Sequence, residues 1–233
     1  MTSDAHPTYR RPAGSTSVRE ALAAGEAVVL PNPAPLTHVV TATRPGAVNQ
    51  AKGRDADQPV ALWAHHSDTQ DTLDRLWDLT PKDRLLARLL LGDAHLTVLL
   101  PLRPGAGGPA WLAPAQKDGW VLLFGARWQP LRSLLDKHPV LYVSSANRTG
   151  HQPAATAEQA LAMFPTTVPV LQTPASTDTT AAVTTMARQA TTTVRLHPDS
   201  RIELHRSGAQ DQNYDGADAY LGHLRARYRD ATG

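Results

Sequence analysis

The chain has 233 residues, 41% hydrophobic and 19% charged, which is enough for one sizeable core and ordinary for a single globular domain. Its 23 basic and 21 acidic residues leave a net charge of +2, too little for a dedicated nucleic-acid-binding surface. The absence of cysteine excludes a disulfide framework, thiolate metal sites and a cysteine nucleophile.

Residues 1–16 are rich in Pro, Ser, Thr and Gly without apolar periodicity and are expected to form a disordered leader. The opening lacks a basic stretch followed by an apolar core, so a soluble, cytoplasmic protein with no membrane partner is expected. Ser17-Val18-Arg19-Glu20 reads as a capping box, and Gly25 is placed to end its helix before a strand at Ala27 to Leu30. Thr43 or Arg44 with Pro45 opens a second helix that stops at Lys52. Thr80-Pro81-Lys82-Asp83 predicts a third, with Leu85, Leu86, Leu89 and Leu90 on its periodic positions. Thr156 caps another, ended by Pro165.

Between them lie strand-like runs at Val39 to Thr41, Val60 to Trp63, Leu96 to Leu100, Trp120 to Phe124, Val140 to Val143, Val168 to Leu171, Thr192 to Leu196 and Ile202 to His205. Interleaved short strands and helices predict one α/β domain over 17–209, with a mixed sheet. Residues 210–233 read as a C-terminal tail that could carry a short helix. Arg10 and Arg11 at one end and Arg225, Arg227 and Arg229 at the other are expected to be solvated, while an RNA partner stays open. Trp77, at helical spacing from Leu73, is expected in the core.

The chemistry is expected in two segments. Lys52 and Arg54 stand two apart ahead of an apolar run, so an extended backbone would turn both cations to one side, where they could clamp a polyphosphate or carboxylate. Ser145 and Asn147 repeat that spacing with neutral donors after Pro139-Val140-Leu141-Tyr142-Val143. Alone, Lys52 and Arg54 read more often as a solvated edge, and Ser145 and Asn147 as a turn; their joint occurrence favours one pocket. No metal site is expected: Asp211-x-Asn213-x-Asp215-Gly216 starts like a calcium loop but has Gly222 at the twelfth position, and adjacent His65 and His66 would face opposite ways.

Lys52-Gly53-Arg54 with the following Asp57-Gln58-Pro59-Val60, and Ser145-Ala146-Asn147-Arg148-Thr149-Gly150, resemble the KxR, D-x-P-L and S-A-N-x-S-G motifs of the YrdC family of threonylcarbamoyl-AMP synthases. Leu96 to Pro101, Thr191 to Leu196 and Arg206-Ser207-Gly208-Ala209 resemble further family segments, so the likeness spans roughly residues 17 to 209. It implies a twisted, mixed open sheet flanked by helices, of YrdC/RibB-like type. It also implies joining of threonine, bicarbonate and ATP into threonylcarbamoyl-AMP with loss of pyrophosphate, Mg²⁺ riding on the nucleotide, as a step of tRNA modification. By that likeness Lys52 and Arg54 would be catalytic and would hold phosphates and the acyl carboxylate. Ser145 and Asn147 would bond the phosphates, and Thr97, Thr191 or Thr192, and Arg206 would close the nucleotide side.

The chain departs from the family around the amino acid. Ala34 and Leu36 stand in place of a threonine and a tyrosine, Trp63 in place of a histidine, and Asp93-Ala94-His95 in place of P-G-P. A pocket of Ala34, Leu36 and Trp63 would receive threonine poorly and would suit a more apolar or flatter acyl group. The rival expectations are a non-catalytic nucleotide or double-stranded RNA binding module, and a carbamoyl-adenylate step of a biosynthetic route.

Overall fold

In a computed structural model, which describes residues 10–173 and 187–229, the chain order is α1 (Ser15–Ala23), β1 (Val28–Leu30), β2 (Val39–Ala42), α2 (Pro45–Lys52), β3 (Ala61–Trp63), α3 (Ser67–Asp74), α4 (Pro81–Gly92), β4 (Thr97–Pro101), β5 (Gln116–Lys117) and β6 (Trp120–Phe124). It continues with α5 (Arg132–Leu135), β7 (Tyr142–Ser145), α6 (Ala157–Met163), β8 (Thr193–Leu196), β9 (Ile202–Arg206) and α7 (Ala217–Tyr228). Among the described residues the nine strands form one sheet in the order β1-β2-β7-β3-β6-β4-β8-β9, with β5 paired to β6. The pairs β3/β6 and β4/β8 are parallel and the others antiparallel, the mixed α/β sheet expected.

Local chemistry sets the helix boundaries. The Thr80 hydroxyl accepts from Asp83 N at 3.2 Å and donates to the Asp83 carboxylate at 2.6 Å, with Pro81 supplying a first turn that needs no N–H. Thr156 accepts from Gln159 N at 3.3 Å, and Phe164 before Pro165 closes that helix. The expected Ser17 cap does not form. Helix α1 starts three residues earlier, with Gly14 at its N-cap and no side-chain cap bond.

Residues 10–16 are not a loose leader. Arg10 donates to the carbonyls of Leu161 (3.1 Å), Phe164 (2.6 Å) and Val168, and Ala13 N bonds Val170 O at 2.8 Å, so this segment ties α6 and the 168–171 stretch to the body. That stretch makes only isolated bridges to Ala13 and Val29, not the strand expected. At the other end, Tyr220, Leu221, Leu224 and Tyr228 of α7 are buried in the main core, so residues 217–228 pack as part of it and are no loose tail. Trp77 is fully buried, as expected.

Because side chains alternate along each strand, the sheet has two different faces. On one, Val40, Leu62, Val98, Leu123 and Val194 pack beneath α2, α4, α6 and α7. On the other, Val28, Leu30, Trp63 and Phe124 pack against Val18, Ala21 and Leu22 of α1 and Leu134 and Leu135 of α5. These two short helices do not cover the centre of that face, where Val39, Ala61, Thr97, Val143 and Ser145 line a cavity.

Candidate functional site

The cavity, about 160 Å³, is floored by that sheet face together with Leu122 and Phe124, and walled by Asn32, Leu36 and Thr37, by Arg54 and Pro59, and by Ala190, Thr191 and Arg206. No Asp or Glu lines it among the described residues. Two guanidiniums over hydroxyls and an apolar floor make it a place for an anion with an apolar or hydroxylated body.

Arg54 reaches the cavity by a route other than extended spacing. Lys52 is the last residue of α2, and Gly53 takes a left-handed conformation (φ 63°, ψ 43°) that ends the helix, so Lys52 and Arg54 leave in different directions. Asn49, buried on α2, then sets the loop: its amide donates to Ala56 O (2.7 Å) and Gln58 O (2.8 Å), and its oxygen accepts from Arg54 Nε at 2.6 Å. The guanidinium is thereby aimed, and its buried Nη2 is left with no partner. An unpaired buried charged donor is costly unless a ligand meets it, and burial already lowers this group's pKa. Sequence reasoning missed Asn49; its only signal was a polar residue in the interior of a short helix.

Lys52 points the other way. Its ammonium donates to Ser145 O (2.5 Å), Asn147 O (2.8 Å) and Asn147 Oδ1 (2.8 Å), fastening the turn after β7 to the end of α2. The Ser145 hydroxyl donates to the same Asn147 oxygen at 2.6 Å. Of this group Ser145 lines the cavity, while Asn147 braces the turn, its amide nitrogen donating to His151 O at 2.9 Å. Burial, then the charges of Arg54 and Arg206, push the Lys52 pKa down to about 7. An anion placed against Arg54 and Arg206 would offset their repulsion and raise that pKa, so binding should take up a proton above about pH 7. Between about pH 7.5 and about pH 9, affinity for pyrophosphate should fall with rising pH, by up to about tenfold per unit, and flatten in Lys52→Met. Calorimetric titration across that range checks it; the same slope in the variant would contradict it.

Across the cavity the Thr97 and Thr191 hydroxyls lie 2.5 Å apart, and Arg206 Nη2 donates to Thr191 O at 3.5 Å. Thr192 faces away, its hydroxyl donating to Asp211 Oδ1 at 2.5 Å and accepting from Gln210 N at 3.0 Å and Asp211 N at 3.2 Å. Thr191 is therefore the member of the pair that lines the cavity.

The 31–38 loop is held by backbone acceptors. Asn32 donates to Thr37 O at 2.9 Å, and Arg188 donates to Leu36 O (2.9 Å) and Asn32 O (3.3 Å). This places Leu36 in the wall and leaves Ala34 exposed outside it. Trp63 is not in the wall either. It is 1% exposed in the core, its indole N–H donating to Ala126 O at 2.8 Å, because the partly covered face is fully covered there by α1, α5 and residues 126–131. Asn32 and Thr37, unnoticed in the sequence, supply the polar part of the wall in their place.

Behind this loop His38 is buried, with Nδ1 unpartnered, and burial followed by the charge of Arg188 pushes its pKa down to about 4. The neutral ring's contribution is complete above about pH 6.5 and is lost as pH falls toward about 4, on the order of 3 kcal/mol in all. Urea unfolding at pH 7 and pH 5 should show a larger loss for the parent than for His38→Asn; equal losses would contradict it.

No family model matches the sequence, and no curated protein matches it. Solved structures do resemble it in fold. P. abyssi Sua5, complexed with L-threonine, is 17% identical with a TM-score of 0.56, over 78% of this chain and 50% of that one. Full-length HypF in its phosphate- and nucleotide-bound form is 14% identical with a TM-score of 0.59, over 85% of this chain and 29% of that one. E. coli YciO is 11% identical with a TM-score of 0.58, over 83% of this chain and 88% of that one. The chain thus spans about half the length of the Sua5 structure and most of YciO. No helix among the described residues is long and apolar enough to cross a membrane. The open mixed sheet with helices on both faces is the YrdC-like fold shared by these structures.

Proposed function

We propose that the cavity binds ATP and that the chain joins a carboxylate to its α-phosphate, forming an acyl adenylate. The carrying observation is the Arg54 guanidinium, oriented by Asn49, with a buried Nη2 that meets no protein acceptor, facing a cavity that Arg206 also lines. A carboxylate oxygen attacks the α-phosphorus, the bond from that phosphorus to the β-phosphate oxygen breaks, and pyrophosphate leaves with the electron pair. Such a displacement asks for positioning and charge neutralisation, not for a side-chain nucleophile. Arg54 and Arg206 supply the positioning groups, and the Ser145 hydroxyl joins them by turning its O–H from Asn147 Oδ1 to a phosphate oxygen. With no carboxylate in the wall among the described residues, a magnesium ion would be carried by the nucleotide's own phosphates.

The fold likeness to a Sua5 structure holding L-threonine and to a HypF structure holding phosphate and nucleotide supports this class of reaction. A place in tRNA modification is the corresponding proposal for the pathway. The test follows pyrophosphate from ATP, Mg²⁺ and bicarbonate with a panel of amino acids and simple carboxylic acids. Release that depends on one acid and is lost in Arg54→Ala is expected. ATP binding with no release for any acid would overturn catalysis and leave a nucleotide-binding module.

A further inference from the structure

Resting on that reading, we infer that the acid is a simple carboxylate with an apolar body and no α-ammonium, so that the reaction runs without bicarbonate. The charge of the cavity favours this. Arg54 and Arg206 line it, Lys52 lies behind Arg54, and no Asp or Glu lines it among the described residues. A carboxylate gains two cationic neighbours there, whereas the ammonium of an amino acid would be stripped of water beside like charges with no counter-ion.

The hydrogen-bonding groups agree. The Thr97 and Thr191 hydroxyls are engaged with each other. Leu36 fills the wall, and the floor is Val39, Ala61, Leu122, Phe124 and Val143, which suits methyl and methylene groups. Among the described residues that line the cavity, Arg54 carries the buried nitrogen left without a partner, and Asn49 holds its guanidinium in a fixed orientation suited to a carboxylate. Carbamate formation needs an amine. An acid without one must present its own carboxylate to the α-phosphorus, with pyrophosphate leaving as before, and carbon dioxide has no part in the balance.

The experiment uses matched pairs that differ only in the α-ammonium: 4-methylpentanoate against leucine, and butanoate against 2-aminobutanoate. Binding of each is measured calorimetrically without nucleotide, and pyrophosphate release is then followed in bicarbonate-free buffer with ATP and Mg²⁺. At least one carboxylate should bind about tenfold or more tightly than its amino acid and should release pyrophosphate. Arg54→Gln should remove that preference, while Arg54→Lys, which keeps the charge, should retain part of it and confirms that the fold survives substitution. Equal or tighter binding of the amino acids, binding of neither member, or release that requires bicarbonate would overturn the inference. A separate ATP titration keeps the two ideas apart, because ATP binding with amino-acid preference sinks this inference alone, whereas no ATP binding sinks the nucleotide reading.

Discussion

Arg54→Ala should weaken ATP binding by about tenfold to about a hundredfold, the loss of roughly 1.5 to 3 kcal/mol expected for a charge-assisted contact made in a partly buried site. The size follows from the way the side chain is held. Asn49 Oδ1 fixes Nε at 2.6 Å, so little side-chain entropy opposes binding, and Nη2 is buried without a partner in the free protein. Asn49→Ala separates aiming from charge: the arginine remains but its orientation is lost, so affinity should fall by a smaller factor. Calorimetry on both variants checks the pair. Unchanged ATP affinity in Arg54→Ala would show that the guanidinium does not meet the nucleotide.

Gly208→Ala should damage fold and site together. A Cβ there would lie 2.4 Å from both Ala190 O and Thr192 N, and 2.5 Å from the Thr191 carbonyl carbon, all of them backbone atoms. The Gly208 amide also donates to Asp211 Oδ1 at 2.6 Å, so the turn cannot swing away freely. Overpacking of this kind costs about 1 to 3 kcal/mol or more, which exceeds the roughly 0.4 to 1 kcal/mol gained by stiffening the unfolded chain. The midpoint should fall by several degrees, on the order of 2 to 4 °C per kcal/mol for a chain of this size. Because Thr191 must shift, ATP binding should weaken as well. Gly222→Ala is the control: it lies on the exposed side of α7 with nothing within 4 Å of a Cβ, and should be neutral or stabilising. Equal midpoints for Gly208→Ala and the parent would refute the close approach.

Elements with local signals were legible in the sequence. Thr80-Pro81, Thr156 and Pro45 each satisfy or remove orphan amides within one turn, so their helices begin where the residues say. Features set by partners distant in sequence were not. Residues 10–16 read as polar and loose, yet Arg10 is ordered by three carbonyls more than 150 positions away. Thr191 and Thr192 are indistinguishable until the pairing of β4 with β8, which sets Thr97 opposite Thr193, fixes which side each faces.

The cationic pair shows the same division. That the pair belongs to one region was visible from spacing, but the geometry came from a glycine cap that reverses the chain, so Lys52 became a brace and Arg54 the half-buried side chain that lines the cavity. Trp63 falls on the correct sheet face and is still excluded from the cavity. Helix coverage is decided by α1 and α5, which the strand pattern does not report.

If this cavity holds ATP, the phosphates lie between Arg54, Ser145 and Arg206. A crystal structure with an ATP analogue that cannot be cleaved between the α- and β-phosphates tests it most directly. Phosphate oxygens are expected within hydrogen-bond distance, about 2.7 to 3.2 Å, of the Arg54 guanidinium and within reach of Arg206 and the Ser145 hydroxyl. An analogue bound elsewhere, such as the separate concavity lined by His66, Arg127 and Arg132, with Arg54 Nη2 still unpartnered, would contradict it.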